Sequence, residues 1–140
     1  MSFYQINFRT YSHATENEKS VEEALRFVSG ADKIEKKTAE GYHGNPIIIM
    51  EATLKKSGDV RAFFSRLKQQ GLLGKILDGP EDRIDEDCVF YLRFDKQKAF
   101  DKKYQLVKHD DIILVKGKIK CFPTDKGNAV KSMKDSLENL

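Results

Sequence analysis

The sequence predicts an α+β fold, a two-layer sandwich in which helices pack on one face of a mainly antiparallel sheet. Two observations lead to this prediction. Several short segments alternate apolar and polar residues with a period of two, and the segments between them place apolar residues at helical spacing. The resulting order is β-α-β-β-α-β-β-α. A chain of 140 residues supports one core, so we expect a single domain over residues 1–140 with its core within 3–123.

The first strand and helix have clear boundaries. Residues 3–12 alternate apolar and polar side chains, which is typical of a strand with one buried face. Thr15 and Glu18 have the spacing of a capping box, and Gly30 follows the apolar helical pattern. We therefore expect a helix over residues 16–29 that begins after Thr15.

The middle of the chain contains two strands and a second helix. Residues 34–40 form a weak, lysine-rich strand, and residues 47–54 form the most apolar strand of the sequence. Ser57 opens a helix that ends at Gly71, and a short helical turn is expected at 72–77.

The last third is predicted to pair two more strands. An acidic loop at 78–87 precedes a strand at about 88–94, and a turn and connector with several lysines follow it. The last strand ends before Pro123, and we expect a C-terminal helix at about 128–140.

The composition permits nucleic-acid binding without requiring it. Hydrophobic residues make up 39% and charged residues 34%, and the formal net charge is +3. Cys88 and Cys121 occupy core-facing strand positions without CxxC spacing, which is typical of a reduced intracellular protein. No apolar run follows Met1, and no segment is long enough to span a membrane. We therefore expect a cytoplasmic protein without membrane contact.

The sequence contains no pattern of catalytic residues or metal ligands, so we expect no enzyme activity, cofactor or metal. His43, in the turn at 41–46, is the best catalytic candidate, although the turn's glycines and proline favour a purely structural role. His43 and Asn45 could instead contact RNA. A hydrolase that uses His43 or His13 is the least favoured hypothesis.

The strand at 88–94 indicates a possible RNA-binding face. Its outward positions are Tyr91 and Arg93, and RNA surfaces combine aromatic side chains that stack on bases with cations that contact phosphates. Outward positions of the other strands add more basic residues, although a register slip of one residue would turn any of these strands over. The candidate RNA-binding residues are Arg9, Tyr11, Lys55, Tyr91, Arg93, Lys96, Lys98, Lys116, Lys118 and Lys120.

Two function classes remain open from the residues alone. The first is a non-catalytic RNA-binding accessory protein that contacts phosphates through the basic sheet face. The second is an assembly module whose open sheet face forms a homodimer or docks onto a larger complex. Ile47 and Ile49 favour the second class, because they are predicted to point outward beside the basic residues.

Four segments of the chain are similar to a known family. They are residues 11–16 with 21–25, 41–46, 91–100 and 110–123. Together they resemble an archaeal family of predicted RNA-binding proteins that are labelled as exosome subunits and have a double-stranded-RNA-binding-like fold. The resemblance implies a sandwich like that of the fifth large-subunit ribosomal protein. It also implies a non-enzymatic role in RNA processing or decay, with RNA and the exosome as partners, and it identifies no RNA-contacting residue.

Overall fold

A computed structural model describes residues 2–41 and 44–140. These residues form the strands β1 (Phe3–Ser12), β2 (Glu35–Glu40), β3 (Pro46–Leu54), β4 (Val89–Asp95) and β5 (Ile112–Ile119). They also form the helices α1 (Glu18–Ser29), α2 (Ser57–Gln69), α3 (Leu73–Leu77), α4 (Lys96–Phe100) and α5 (Lys126–Glu138). A 3-10 turn spans Pro80–Arg83.

The strands form an antiparallel sheet with the order β2-β3-β1-β5-β4. At its edge β2 pairs with β3, where Glu35 lies opposite Glu51 and Glu40 lies opposite Pro46. The predicted α+β sandwich is confirmed. The helix α3 confirms the short helical turn expected at 72–77, and the structure adds the short helix α4 to the predicted order.

Internal contacts divide the chain into two compact units, and each is described by itself. Unit 1 comprises the chain up to Ile6 together with Leu54–Leu92 and Lys116–Leu140. Unit 2 comprises Asn7–Thr53 and Arg93–Val115.

Aromatic packing dominates the core of unit 1. The ring centroids of Phe3 and Phe64 are 5.1 Å apart, and that of Phe90 lies 6.3 Å from Phe64. A Cβ atom on Gly117 would lie 2.8 Å from Cδ1 of Phe3. Only glycine lets β5 approach this ring so closely.

In unit 2, the α1 helix packs its apolar stripe into the core and is fixed near its C-terminal end by a tyrosine. The Tyr104 ring lies 4.6 Å from Phe27 and 5.6 Å from Phe94, and its hydroxyl donates to the Phe27 carbonyl at 3.1 Å. Gly30 ends α1 in the left-handed conformation, as the sequence predicts.

The predicted N-cap of α1 is wrong by two positions. Asn17, not Thr15, is the N-cap, and its side-chain oxygen accepts from the Ser20 amide at 3.0 Å. The Glu18 carboxylate, expected to complete a capping box, instead pairs with Lys36 at 3.0 Å.

The turn with several lysines that the sequence predicts after β4 is helical instead. Residues 96–100 form the helix α4, and the Lys96 side chain is buried. Its ammonium lies 2.9 Å from a carboxylate oxygen of Glu16 and 2.9 Å from one of Asp111, and it donates to the Tyr11 carbonyl at 2.9 Å. These oxygens replace the water that an exposed lysine would keep.

Both cysteines depart from their predicted strand positions. Cys88 is buried but precedes β4 in a left-handed conformation with φ of 63°, and Cys121 is only partly buried beyond the end of β5. Both thiols are free, and their sulfur atoms are 3.9 Å apart. Burial is the main cause that raises the pKa of the Cys88 thiol, which keeps it protonated.

The C-terminal helix begins slightly earlier than predicted, at Lys126. Asp125 caps it by accepting from the Asn128 amide at 2.8 Å. None of the helices in the described part of the chain combines the length and apolar character of a membrane span.

Candidate nucleic-acid interface

Three exposed lysines lie along one side of β5 and its extension in unit 1, and we call Lys116, Lys118 and Lys120 the lysine strip. Gly117 and Ile119, which alternate with them, are buried. Because successive side chains of a strand point to opposite faces, the lysines point away from the core of unit 1.

Two members of the lysine strip contact exposed or partly exposed tyrosine rings. The Lys116 ammonium lies 5.8 Å from the ring centroid of Tyr91, and the Lys120 ammonium lies 5.3 Å from that of Tyr4. The Tyr4 side chain is 60% exposed. Cations and accessible aromatic rings therefore lie next to each other on this surface, a combination that is common in RNA-binding surfaces.

The loop before β4 orients Tyr91. Its hydroxyl donates to Oδ2 of Asp85 at 2.9 Å, and this hydrogen bond is the main cause that raises the pKa of Tyr91. Burial alone would raise the pKa of Asp85, but the Val89 amide and the Tyr91 hydroxyl lower it below its usual value. The Lys118 ammonium donates to the carbonyl of Asp87. The loop thus orients the ring and also places acidic residues beside the strip.

In unit 2 the predicted arginines line a common cavity of about 310 Å³. Its lining residues are Arg9, Tyr11, Arg93, Asp110, Ile112 and Leu114. Arg9 lies 2.8 Å from Glu51, and Arg93 lies 2.8 Å from Asp110. The hydrogen bond that Arg9 donates to Glu51 is the main cause that raises the pKa of Arg9. Each arginine therefore faces a carboxylate that competes with phosphate.

The remaining predicted residues do not gather at one place. Lys55 is exposed in unit 1, and Lys98 is exposed on α4 in unit 2. Lys96 is buried and contacts carboxylates, so its ammonium is not accessible to a phosphate. Asn45 is exposed, and its carbonyl accepts from the Gly41 amide at 2.6 Å, which closes the turn. His43 lies outside the described residues.

Sequence reasoning missed the exposed aromatics of unit 1, Tyr4 and Phe122. Phe122 is 94% exposed. The sequence did indicate the exposure of Phe122, because this residue lies between the last strand and Pro123, outside any alternation of apolar and polar residues. No such signal existed for Tyr4, since Tyr4 and Gln5 are both exposed between the buried Phe3 and Ile6 and interrupt the period of two.

The described residues contain no group of three or more His, Cys, Asp or Glu side chains that could bind a metal ion. His13 is exposed and lines a shallow cavity of about 260 Å³ with Gly41, Asn45 and Ile47. The surface with the clearest chemistry in the described ranges is therefore the lysine strip with its tyrosines.

Comparisons with known proteins identify a family for the chain. A protein family described as RNA binding matches residues 5–119. The RNA-binding protein PAB1135 of Pyrococcus abyssi is 38% identical over 96% of this chain and 94% of its own. The solved structure of Mth689 from Methanothermobacter thermautotrophicus has a TM-score of 0.84 at 34% identity and covers 98% of this chain and 99% of its own. The structure of AF2318 from Archaeoglobus fulgidus has a TM-score of 0.84 at 29% identity, covering 96% of this chain and 99% of its own.

Proposed function

The chain belongs to the RNA-binding protein family, and from this premise we propose that it binds RNA phosphates through the lysine strip and does not process the RNA. The observation on which the proposal depends is the exposure of Lys116, Lys118 and Lys120 on one side of unit 1. Lysine ammonium groups that neutralise phosphates release condensed counterions from the RNA, and this release provides a large share of the affinity.

The contacts within each unit support phosphate binding by the lysine strip rather than by the two arginines. Arg9 and Arg93 are hydrogen-bonded to Glu51 and Asp110, so a phosphate must compete with a carboxylate for each guanidinium. Lys116 and Lys120 contact aromatic rings instead, and a cation over a ring keeps its charge available. We therefore assign the main phosphate contacts to unit 1.

Charge reversal of the lysine strip tests the proposal. In the variant Lys116→Glu, Lys118→Glu and Lys120→Glu, repulsion should lower RNA affinity about a hundredfold at low salt, measured by fluorescence anisotropy. A matched control changes three exposed lysines on helices to glutamate, with the same change in net charge: Lys19, Lys75 and Lys131. The proposal is wrong if both variants lose the same affinity, because net charge alone would then explain the loss.

The absence of RNA processing has its own test. We expect a labelled RNA oligonucleotide to remain intact after prolonged incubation with the protein and a divalent cation. Turnover that disappears in a His13→Ala variant would contradict this part of the proposal, since His13 is the exposed histidine beside the turn.

A second candidate function is assembly, either as a homodimer or with a larger RNA-processing complex such as the exosome. It is favoured by four apolar side chains of unit 2 that are only partly buried: Ile47, Ile49, Ile112 and Leu114. Partly exposed apolar residues on strands are typical of interaction surfaces. Sedimentation at micromolar concentration tests self-association, and co-purification with exosome subunits tests the larger complex.

A further inference from the structure

We propose that Phe122, together with Tyr4 and Lys120, forms a stacking site for an unpaired RNA base, so that single-stranded RNA and loops are the preferred ligands. This inference rests on the proposed RNA-binding function and specifies its substrate class. These residues all belong to unit 1.

Phe122 is unusually exposed for a phenylalanine. Its side chain is 94% exposed, and Tyr4 at 60% is the next most exposed large hydrophobic residue in the described ranges. Isolated exposed apolar residues are common, but a nearly fully exposed aromatic ring two residues after Lys120, whose ammonium itself lies over the exposed Tyr4 ring, matches the composition of single-strand binding surfaces.

The backbone around Phe122 is fixed although its ring is accessible. The Lys120 amide donates to the Ser2 carbonyl at 2.6 Å, and the Lys120 carbonyl accepts from the Ser132 hydroxyl at 2.8 Å. Beyond Phe122, the Asn128 side-chain amide donates to the Pro123 carbonyl at 3.1 Å. Hydrogen bonds thus anchor the segment on both sides of the ring, which reduces the entropy lost when a base stacks on it.

The charges beside Phe122 match a nucleotide. The Lys120 ammonium lies 5.3 Å from the Tyr4 ring, which keeps the cation next to exposed aromatic surface. A nucleotide presents an aromatic face and a phosphate on neighbouring groups, so one residue of RNA can contact Phe122 and Lys120 together. A base inside a duplex is already stacked on both faces, whereas an unpaired base has a free face to offer.

A second copy of the chain fits this surface less well than RNA. A two-fold interface centred on Phe122 would bring the same patch of each copy together, and Lys118 and Lys120 of the two copies would then repel each other. Phosphates attract the same lysines. The charge complementarity therefore favours RNA as the occupant.

Substitutions at Phe122 separate stacking from charge. Phe122→Ala and Phe122→Leu should weaken binding of a single-stranded oligouridine at least about fivefold, whereas Phe122→Trp should retain it. Affinity for a blunt RNA duplex should stay unchanged in every variant. An oligonucleotide with 2-aminopurine should show fluorescence quenching with the unmodified protein and lose it with Phe122→Ala. Urea denaturation of each variant checks that the fold is preserved, as expected for so exposed a side chain.

The outcomes distinguish this inference from the proposed function. If Phe122→Ala binds single strands normally while charge reversal of the lysine strip abolishes binding, the stacking site is wrong and the proposed function stands. If the unmodified protein binds neither RNA form, both are wrong. If Phe122→Ala alters only the sedimentation coefficient, the ring contacts a second copy and the inference is overturned.

Discussion

The ammonium of Lys96 has exchanged its water for protein oxygens. The residue is 1% exposed, and its Nζ contacts the carboxylates of Glu16 and Asp111 and the carbonyl of Tyr11. This arrangement connects the end of β1, the start of α1 and the start of β5 within unit 2. A single side chain thereby connects Asp111 to the segment between β1 and α1, which is distant from it in the sequence.

Removal of this ammonium should destabilise the protein. Lys96→Met keeps much of the side-chain volume but leaves two carboxylates without their shared cation, and we expect a loss of roughly 2–4 kcal/mol in the free energy of unfolding. The matched control is Lys98→Met on the same helix, where the side chain is exposed and the change should be within about 0.5 kcal/mol. Urea denaturation measures both, and equal effects would contradict the role of the buried ammonium.

The stabilisation by Lys96 should depend on pH. Burial alone would raise the pKa of Asp111, but hydrogen bonds from Lys96 and Gln97 lower it below the usual value. A carboxyl whose pKa is lowered on folding stabilises the protein above its unfolded pKa of about 3.9 and loses that contribution as the pH falls through its folded pKa. The stability difference between the native protein and Lys96→Met should thus be largest near neutral pH and shrink below about pH 4. A difference that is constant from pH 7 to pH 3 would contradict this.

Individual residues show where sequence analysis reaches its limit. Lys96 and Lys98 look alike in the sequence, and only the tertiary positions of Glu16 and Asp111 determine which one is buried. The same holds for Arg9, because Glu51 is 42 positions away and its hydrogen bond to Arg9 cannot be inferred from local spacing.

At the level of elements, the start of α1 depends on local competition between cap residues. Thr15 and Asn17 are both suitable N-caps, and spacing to Glu18 favours Thr15. In the structure the Glu16 carboxylate accepts from the His13 amide at 3.1 Å and contacts Lys96, so the chain stays non-helical through Asn17. A tertiary contact decides between two acceptable caps.

Substitution of the two candidate caps tests this boundary. Asn17→Ala removes the acceptor for the Ser20 amide and should cost about 1 kcal/mol of the free energy of unfolding. Thr15→Ala should change stability by less than about 0.5 kcal/mol, because Thr15 is exposed and precedes the helix. Chemical denaturation measures both values, and a larger loss for Thr15→Ala would restore the capping box.

The strands were the most predictable elements. In β4 and in the second half of β3 the alternation of apolar and polar residues identified the inward positions correctly, whereas Ile48, also predicted to point inward, is only partly buried. The buried inward residues are Met50, Ala52, Leu54, Phe90, Leu92 and Phe94. The errors fall where the period of two is interrupted, at the exposed pair Tyr4 and Gln5 and at Cys88 with its left-handed backbone. These interruptions depend on packing and not on local composition. Of the two tyrosines that contact the lysine strip, Tyr91 could therefore be predicted from the sequence and Tyr4 could not.

For the whole molecule, the distribution of charge matters more than its sum. The formal net charge of +3 is small, and several cations are neutralised by carboxylates, as for Arg9 with Glu51 and Arg93 with Asp110. The lysine strip is the part of the predicted basic face whose ammonium groups contact rings and a carbonyl rather than carboxylates. The sequence identified these lysines but could not rank them above the arginines, because that ranking requires the partners of each.

The salt dependence of RNA affinity should show whether the lysine strip or the two arginines make the phosphate contacts. For single strands the slope of log K against log salt is about −0.7 for each neutralised phosphate, so replacing Lys116, Lys118 and Lys120 by Gln should reduce its magnitude by about two. The double variant Arg9→Gln and Arg93→Gln should leave the slope nearly unchanged, since both guanidiniums already face carboxylates. Anisotropy titrations over a range of potassium chloride concentrations provide the slopes. If the arginine variant reduces the slope and the lysine variant does not, the phosphates bind in the cavity of unit 2, and the carboxylates of Glu51 and Asp110 must release their arginines when RNA arrives.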